Sequence, residues 1–181
     1  MSVAAGDLLY TAVPLPGGIN GQLNLRRLAV DGGVFWEQRW GRGRGEEPTS
    51  LATAPDGGVV LAGALRRGCF AVRYDATGRL LWEAAPGSGQ CRPAGVVTDA
   101  ESASYLLATV EGPAGFEAVV WKLNARGEVL WNHRYAQSDP VYAQNLYLDP
   151  RGDRIRAFVL RKRGTEFIEE FFRLDLAGRR L

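Results

Sequence analysis

Four glycines constrain this chain more than any other feature. Gly32, Gly78, Gly127 and Gly178 stand 46, 49 and 51 residues apart, and setting them in register aligns everything around them. Four residues after the first three come Trp36, Trp82 and Trp131. Five residues before each glycine comes a cation, at Arg27, Arg73, Lys122 and Arg173. Three residues before stand Ala29, Asp75, Asn124 and Asp175. A fixed period of this length is the mark of a repeat architecture, in which no single unit can cover its own apolar faces.

The unit is built of strands. GVVLAGAL (58–65), SYLLATV (104–110) and RIRAFVL (154–160) are short, β-rich and bounded by Pro, Asp and Gly turn residues. Each is followed by a strand carrying the repeated cation and a tight turn on the register glycine, and the first two then by a strand bearing the tryptophan. The glycine supplies positive φ, and the Asp or Asn three residues earlier caps the turn backbone. The tryptophan offers a large apolar face to the gap between neighbouring sheets. The glutamate-rich segment TEFIEEFFRLD comes nearest to a helical pattern, and the register makes it a third strand.

The expected fold is therefore all-β: a β-propeller of about four blades, each of four antiparallel strands A to D, with roughly 14 strands in all. The whole chain reads as one domain. Residues 6–40 supply a first blade lacking strand A, 48–87 a second, 93–136 a third, and 141–181 a fourth lacking most of strand D. Three closures follow: a compact four-bladed ring, a half-propeller that self-associates or takes another chain to complete a ring, or a fragment of a longer propeller.

The segments VRYDATGRLLW, VWKLNARGEVLW and FRLDLAGRRL resemble bacterial propeller repeats of the form D-x-x-G-x-x-x-W, and are similar to quinoprotein-like propeller repeats. The resemblance covers nearly the whole chain and implies the propeller. Quinoprotein enzymes would further imply a quinone and a calcium ion held on the axis by acidic and amide side chains. No matching cluster is evident, and Asp75-Ala-Thr-Gly78 is one residue shorter than the enzyme signature D-x-x-T-G.

Candidate chemistry is sparse. His133 is the single histidine, too few for a His-based zinc site or a triad alongside an evident nucleophile. Gly41–Gly45, with Arg42 and Arg44, lacks the lysine and serine of a phosphate loop and reads as a flexible connection. Arg151-Gly152-Asp153 falls in a turn where those residues are expected anyway. Glu166, Glu169 and Glu170 read as a solvated strand face or an interface. Cys69 and Cys91 are either one bridge or two free thiols. The reading assigns no catalytic residue, no metal ligand and no cofactor.

One surface stands out. The D–A and B–C connections of a propeller emerge at one end, and there they collect Arg42, Arg44, Arg66, Arg67, Arg92, Arg161, Lys162 and Arg163, against mainly Glu46, Glu47, Glu111 and Asp139. The expectation is a non-catalytic protein-binding or assembly module with a basic loop face for an acidic partner. The rivals are a propeller enzyme, such as a quinone- or metal-dependent oxidoreductase or a lyase, and a purely structural piece. A net charge of +2 is too small to indicate nucleic acid, and no apolar run approaches a membrane span. Without a signal peptide the chain reads as cytoplasmic, the alternative being a mature exported domain.

Overall fold

The computed structural model describes residues 2–5, 8–14, 22–41, 43, 45–113 and 115–181. Their strands form four antiparallel sheets that follow one another along the chain. The first blade is β1 (Ser2–Ala5), β2 (Leu8–Pro14), β3 (Leu23–Ala29) and β4 (Val34–Trp40). The second is β5 (Glu47–Thr53), β6 (Val59–Leu65), β7 (Gly68–Tyr74) and β8 (Leu80–Ala84). The third is β9 (Cys91–Thr98), β10 (Ser104–Gly112), β11 (Gly115–Leu123) and β12 (Val129–Tyr135). The fourth is β13 (Val141–Leu148), β14 (Arg154–Arg163) and β15 (Glu166–Asp175).

Two details depart from expectation or refine it. The first blade does have a strand A: β1 pairs with β2 from Ser2↔Thr11 to Ala5↔Leu8, giving fifteen strands among the described residues. SVAA is too short and small in side chain to announce itself by pattern, and pairing alone makes it a strand. In the fourth blade only the bridge Leu174↔Arg180 marks where a strand D begins.

The C–D turns are near copies of one another. Gly78 donates its N–H to the Asp75 carbonyl at 3.1 Å, and Asp75 N–H donates to the Arg79 carbonyl at 3.0 Å. The same pair of bonds recurs at Asn124 to Glu128 and at Asp175 to Arg179. The glycines hold φ of +86°, +83° and +84° in those three turns. This is a type I turn closed by a glycine bulge, and strand register shifts there accordingly. The capping oxygen does what its side chain promised: Asp75 Oδ1 accepts from Thr77 N (2.9 Å), Arg79 N (3.0 Å) and the Thr77 hydroxyl (2.6 Å). In the first blade Ala29 replaces the cap, and Asp31 Oδ1 takes the Gly33 N–H instead.

Successive blades are locked by one recurring joint. Gly78 lies beneath the Trp36 indole, Gly127 beneath Trp82 and Gly178 beneath Trp131, each so close that a Cβ would fall within 2.9 Å of the ring. Trp36 donates its indole N–H to the Ala76 carbonyl at 3.0 Å, and Trp131 to the Leu176 carbonyl at 3.3 Å. The repeated cations join in: Arg27 donates to the Ala76 carbonyl and Lys122 to the Leu176 carbonyl. Arg73, almost wholly buried, donates instead to the Ser102 carbonyl and ion-pairs with Asp56 at 2.9 Å. Trp82 has no acceptor for its buried N–H among the described residues. Three apolar clusters fill the three gaps between blades, and each mixes residues from both neighbours. The innermost strands neighbour one another in the order β1, β5, β9, β13. No comparable interface joins β13 back to β1 among the described residues, so the four blades form an open arc.

Cys69 and Cys91 are bridged, with Cα atoms 5.4 Å apart, and the bond ties β7 of the second blade to β9 of the third.

Candidate functional site

The basic end of the arc holds a cleft of about 740 Å³. It opens where the second, third and fourth blades meet. Its walls come from the start of β5 (Gly45, Glu47), the end of β6 (Ala64, Leu65), Arg66, Gln90, the start of β9 (Cys91, Arg92), Thr109, Phe116 and Tyr142. Strand alternation puts these side chains there: in β9 Cys91 turns into the blade gap and Arg92 turns out. Gly45 makes room for Arg66, whose Cγ would lie 3.0 Å from any Cβ at that position. Thr109 is already engaged, its hydroxyl accepting the Ala143 N–H at 2.8 Å and stitching the third blade to the fourth. The disulfide lies at the cleft wall through Cys91, so the two blades bearing Arg66 and Arg92 are covalently fixed.

The predicted basic residues divide into two groups. Arg66 and Arg92 line the cleft, are exposed, and form no ion pair among the described residues. Arg67, Lys162 and Arg163 are also exposed at this end. Arg161 is different. It pairs with Glu170 at 2.7 Å and Asp139 at 3.1 Å, so its charge is spent inside the molecule rather than offered to a partner. β14 pairs with β15, which places Arg161 and Glu170 on one face of the sheet, while the loop before β13 brings Asp139. Burial works against the Glu170 charge, but the hydrogen bonds from Arg161 and the Tyr135 hydroxyl outweigh it and hold its carboxyl below the ordinary range. Arg42 and Arg44 lie outside the described residues.

Sequence reasoning missed the aromatic side of the site. Phe116 and Tyr142 line the cleft with ring centroids 5.5 Å apart, and Tyr142 continues to Phe167 at 6.1 Å. No repeat position flags them, because they come from strand ends outside the shared register.

Other candidates are now placed. His133 lies in the joint between the third and fourth blades, its ring 5.7 Å from Phe172. Burial and the nearby Arg180 charge lower its pKa, partly offset by a backbone hydrogen bond at Gly178. Arg151-Gly152-Asp153 forms a turn closed by Gly152 N–H on the Asp149 carbonyl at 2.7 Å. Among the described residues no three His, Cys, Asp or Glu side chains gather as a metal site would require.

No family model matches the chain, and neither does any curated protein sequence. Solved structures do match. A quinoprotein alcohol dehydrogenase-like protein from Bacteroides thetaiotaomicron superposes with a TM-score of 0.62 at 14% identity, over 99% of this chain and 44% of that one. The β-propeller domain of the Trilobed protease from Pyrococcus furiosus gives 0.58 at 11% identity, over 100% and 55%. The fold is a β-propeller. A puromycin hydrolase gives 0.62 at 18% identity, over 99% and 31%. The propeller arc thus spans about half or less of the length of each of these proteins, and at such identities the likeness speaks for fold alone.

Proposed function

We propose that this propeller is a non-catalytic protein-binding module whose cleft at the D–A/B–C end receives an acidic segment of a partner protein. The observation that carries the reading is that Arg66 and Arg92, exposed and without an ion pair among the described residues, share a single cleft with the rings of Phe116 and Tyr142, against one lining carboxylate, Glu47. Two cations favour carboxylates, and guanidinium groups bind them in bidentate fashion. The rings accommodate the apolar part of a side chain beside the acid. The expected basic face is thereby narrowed: Arg66 and Arg92 form its centre, Arg67, Lys162 and Arg163 its surroundings, and Arg161 drops out. The fold is neutral about catalysis, since the similar structures include a hydrolase as well as a protease's propeller domain.

The test is fluorescence anisotropy with a labelled oligoglutamate peptide. Binding should weaken roughly tenfold for each of Arg66→Ala and Arg92→Ala, the worth of a charge-assisted hydrogen bond. Arg161→Ala should have no comparable effect. Equal binding by wild type and the Arg66→Ala/Arg92→Ala double variant would overturn the reading.

A further inference from the structure

The joint between blades has two halves. The outgoing half lies on B and C strands. Seven residues before the register glycine stand Leu25, Ala71 and Val120, and across from them on the B strand stand Ala12, Ala62 and Leu107. All six are buried against the following blade. Beside them, Arg27, Arg73 and Lys122 each donate to a backbone carbonyl of that blade. The incoming half is the C–D turn, with its bare glycine and the carbonyl two residues before it.

Among the described residues, the fourth blade has an outgoing half with nothing on it. Its corresponding pair is Phe171 and Phe158, 53% and 38% exposed. Tyr147 extends the patch, its ring edge-on to Phe158 at 5.5 Å, and Phe158 meets Phe171 at 5.9 Å. The fourth cation, Arg173, lies over Phe171 at 5.3 Å, and its guanidinium has no acceptor among the described residues. Large aromatic side chains in a sheet face open to water mark an interaction surface. The first blade has the converse, an incoming half with nothing on it among the described residues. Its turn makes the same backbone bonds as the other three, from Gly32 N–H to the Ala29 carbonyl at 3.0 Å and from Ala29 N–H to the Gly33 carbonyl at 2.8 Å. No atom of the described residues lies within 4 Å of where a Gly32 Cβ would point, although the other three glycines lie under tryptophans.

We infer that the fourth blade of one molecule docks onto the first blade of a second copy, and that the reciprocal contact closes an eight-bladed ring of two chains. Both unmated halves belong to the same chain. They carry the apolar B–C pair, the cation and the glycine turn that mate in the three interior joints, though not the tryptophan that covers the glycine there, and within one molecule the arc keeps them apart. A twofold axis lets two copies satisfy both at once. In the new joint Phe158 and Phe171 cover the first blade, and Arg173 reaches the Val30 carbonyl, the counterpart of the Ala76 and Leu176 carbonyls. The joint is more polar than the interior ones. Where Val72, Trp121 and Phe172 face the preceding blade, the first blade has Arg26, ion-paired to Glu37 at 2.8 Å. Covering that pair costs desolvation, so the dimer dissociates on dilution.

Light scattering on the intact chain tests this. The expected mass is twice 19.7 kDa at high concentration. Phe158→Asp/Phe171→Asp should halve it, with an unchanged circular dichroism spectrum showing that the monomer still folds. Leu130→Asp, an exposed apolar position outside the joint, should leave the double mass intact. Mixing Arg173→Cys protein with Val30→Cys protein and a short bismaleimide should give the mixed cross-link and neither self-cross-link. A wild-type monomer at every concentration, a mass that climbs without limit, a dimer indifferent to the double substitution, or an Arg173→Cys self-cross-link would each overturn the inference. None of these readouts involves Arg66 or Arg92, so this test and the peptide assay fail independently.

Discussion

Replacing Gly127 with alanine probes the joint that organises the molecule. Two separate costs arise. The backbone there holds φ of +83°, a conformation that costs a residue with a Cβ about 1–2 kcal/mol. The new Cβ would also lie 2.7 Å from Trp82 Cδ2 and 2.8 Å from Cγ, against about 3.5–4.0 Å for ordinary carbon contact. The indole must retreat by most of an ångström. It is itself buried among Ala71, Cys69, Val119 and Trp121, so retreat disturbs a filled gap, at about 1–3 kcal/mol. Gly32→Ala is the matched control, because its φ is +88° but no atom of the described residues stands within 4 Å of the new methyl. Gly32→Ala should therefore lose about 1–2 kcal/mol and Gly127→Ala about 2–5 kcal/mol. Urea unfolding followed by tryptophan fluorescence reads both, in the Phe158→Asp/Phe171→Asp background so that each measurement is on the monomer. Equal losses at the two glycines would refute the argument, because they would show that the tryptophan above Gly127 contributes nothing to the glycine's necessity.

Two more outcomes are expected. Converting Cys69 and Cys91 both to serine removes a cross-link spanning 22 residues between two blades, and the urea-derived stability should fall by about 3 kcal/mol while the far-ultraviolet spectrum stays β-type. The Asp75 carboxyl, held at about 2 first by the Thr77 hydroxyl and then by backbone N–H groups against the opposing effect of burial, binds protons less readily folded than unfolded. Its contribution is therefore complete above about 4 and is lost as pH falls towards about 2. Asp75→Asn should flatten the acid limb of stability against pH, and an unchanged limb would show that the cap does not titrate as described.

Much of the fold was legible because its chemistry is local. The register glycine, the Asp or Asn cap and the cation lie within a few residues of one another, and a turn is decided by side chains bonding to adjacent backbone. The same locality explains the misses. β1 has too few residues to show a period and exists because β2 offers it a ladder. The repeated cation is plain in the sequence, yet its spacing does not say that Arg27 and Lys122 reach turn carbonyls of the next blade. Arg161 reads as a free surface charge, yet Asp139 and Glu170 close on it from 22 and 9 residues away. Arg66 and Arg92 were both visible as loop cations, but their meeting in one cleft with Phe116 and Tyr142 was not.

The sequence by itself determined the unit: a glycine turn between strands, repeated four times and followed by a tryptophan in the first three copies, because those depend on spacing and backbone chemistry within each repeat. Only the tertiary structure decided the joining of Cys69 to Cys91, the site formed between three blades, and the two faces left unmated at the ends of the arc. Each of these depends on how one blade is set against another, and that setting comes from contacts between residues tens of positions apart that no local pattern records.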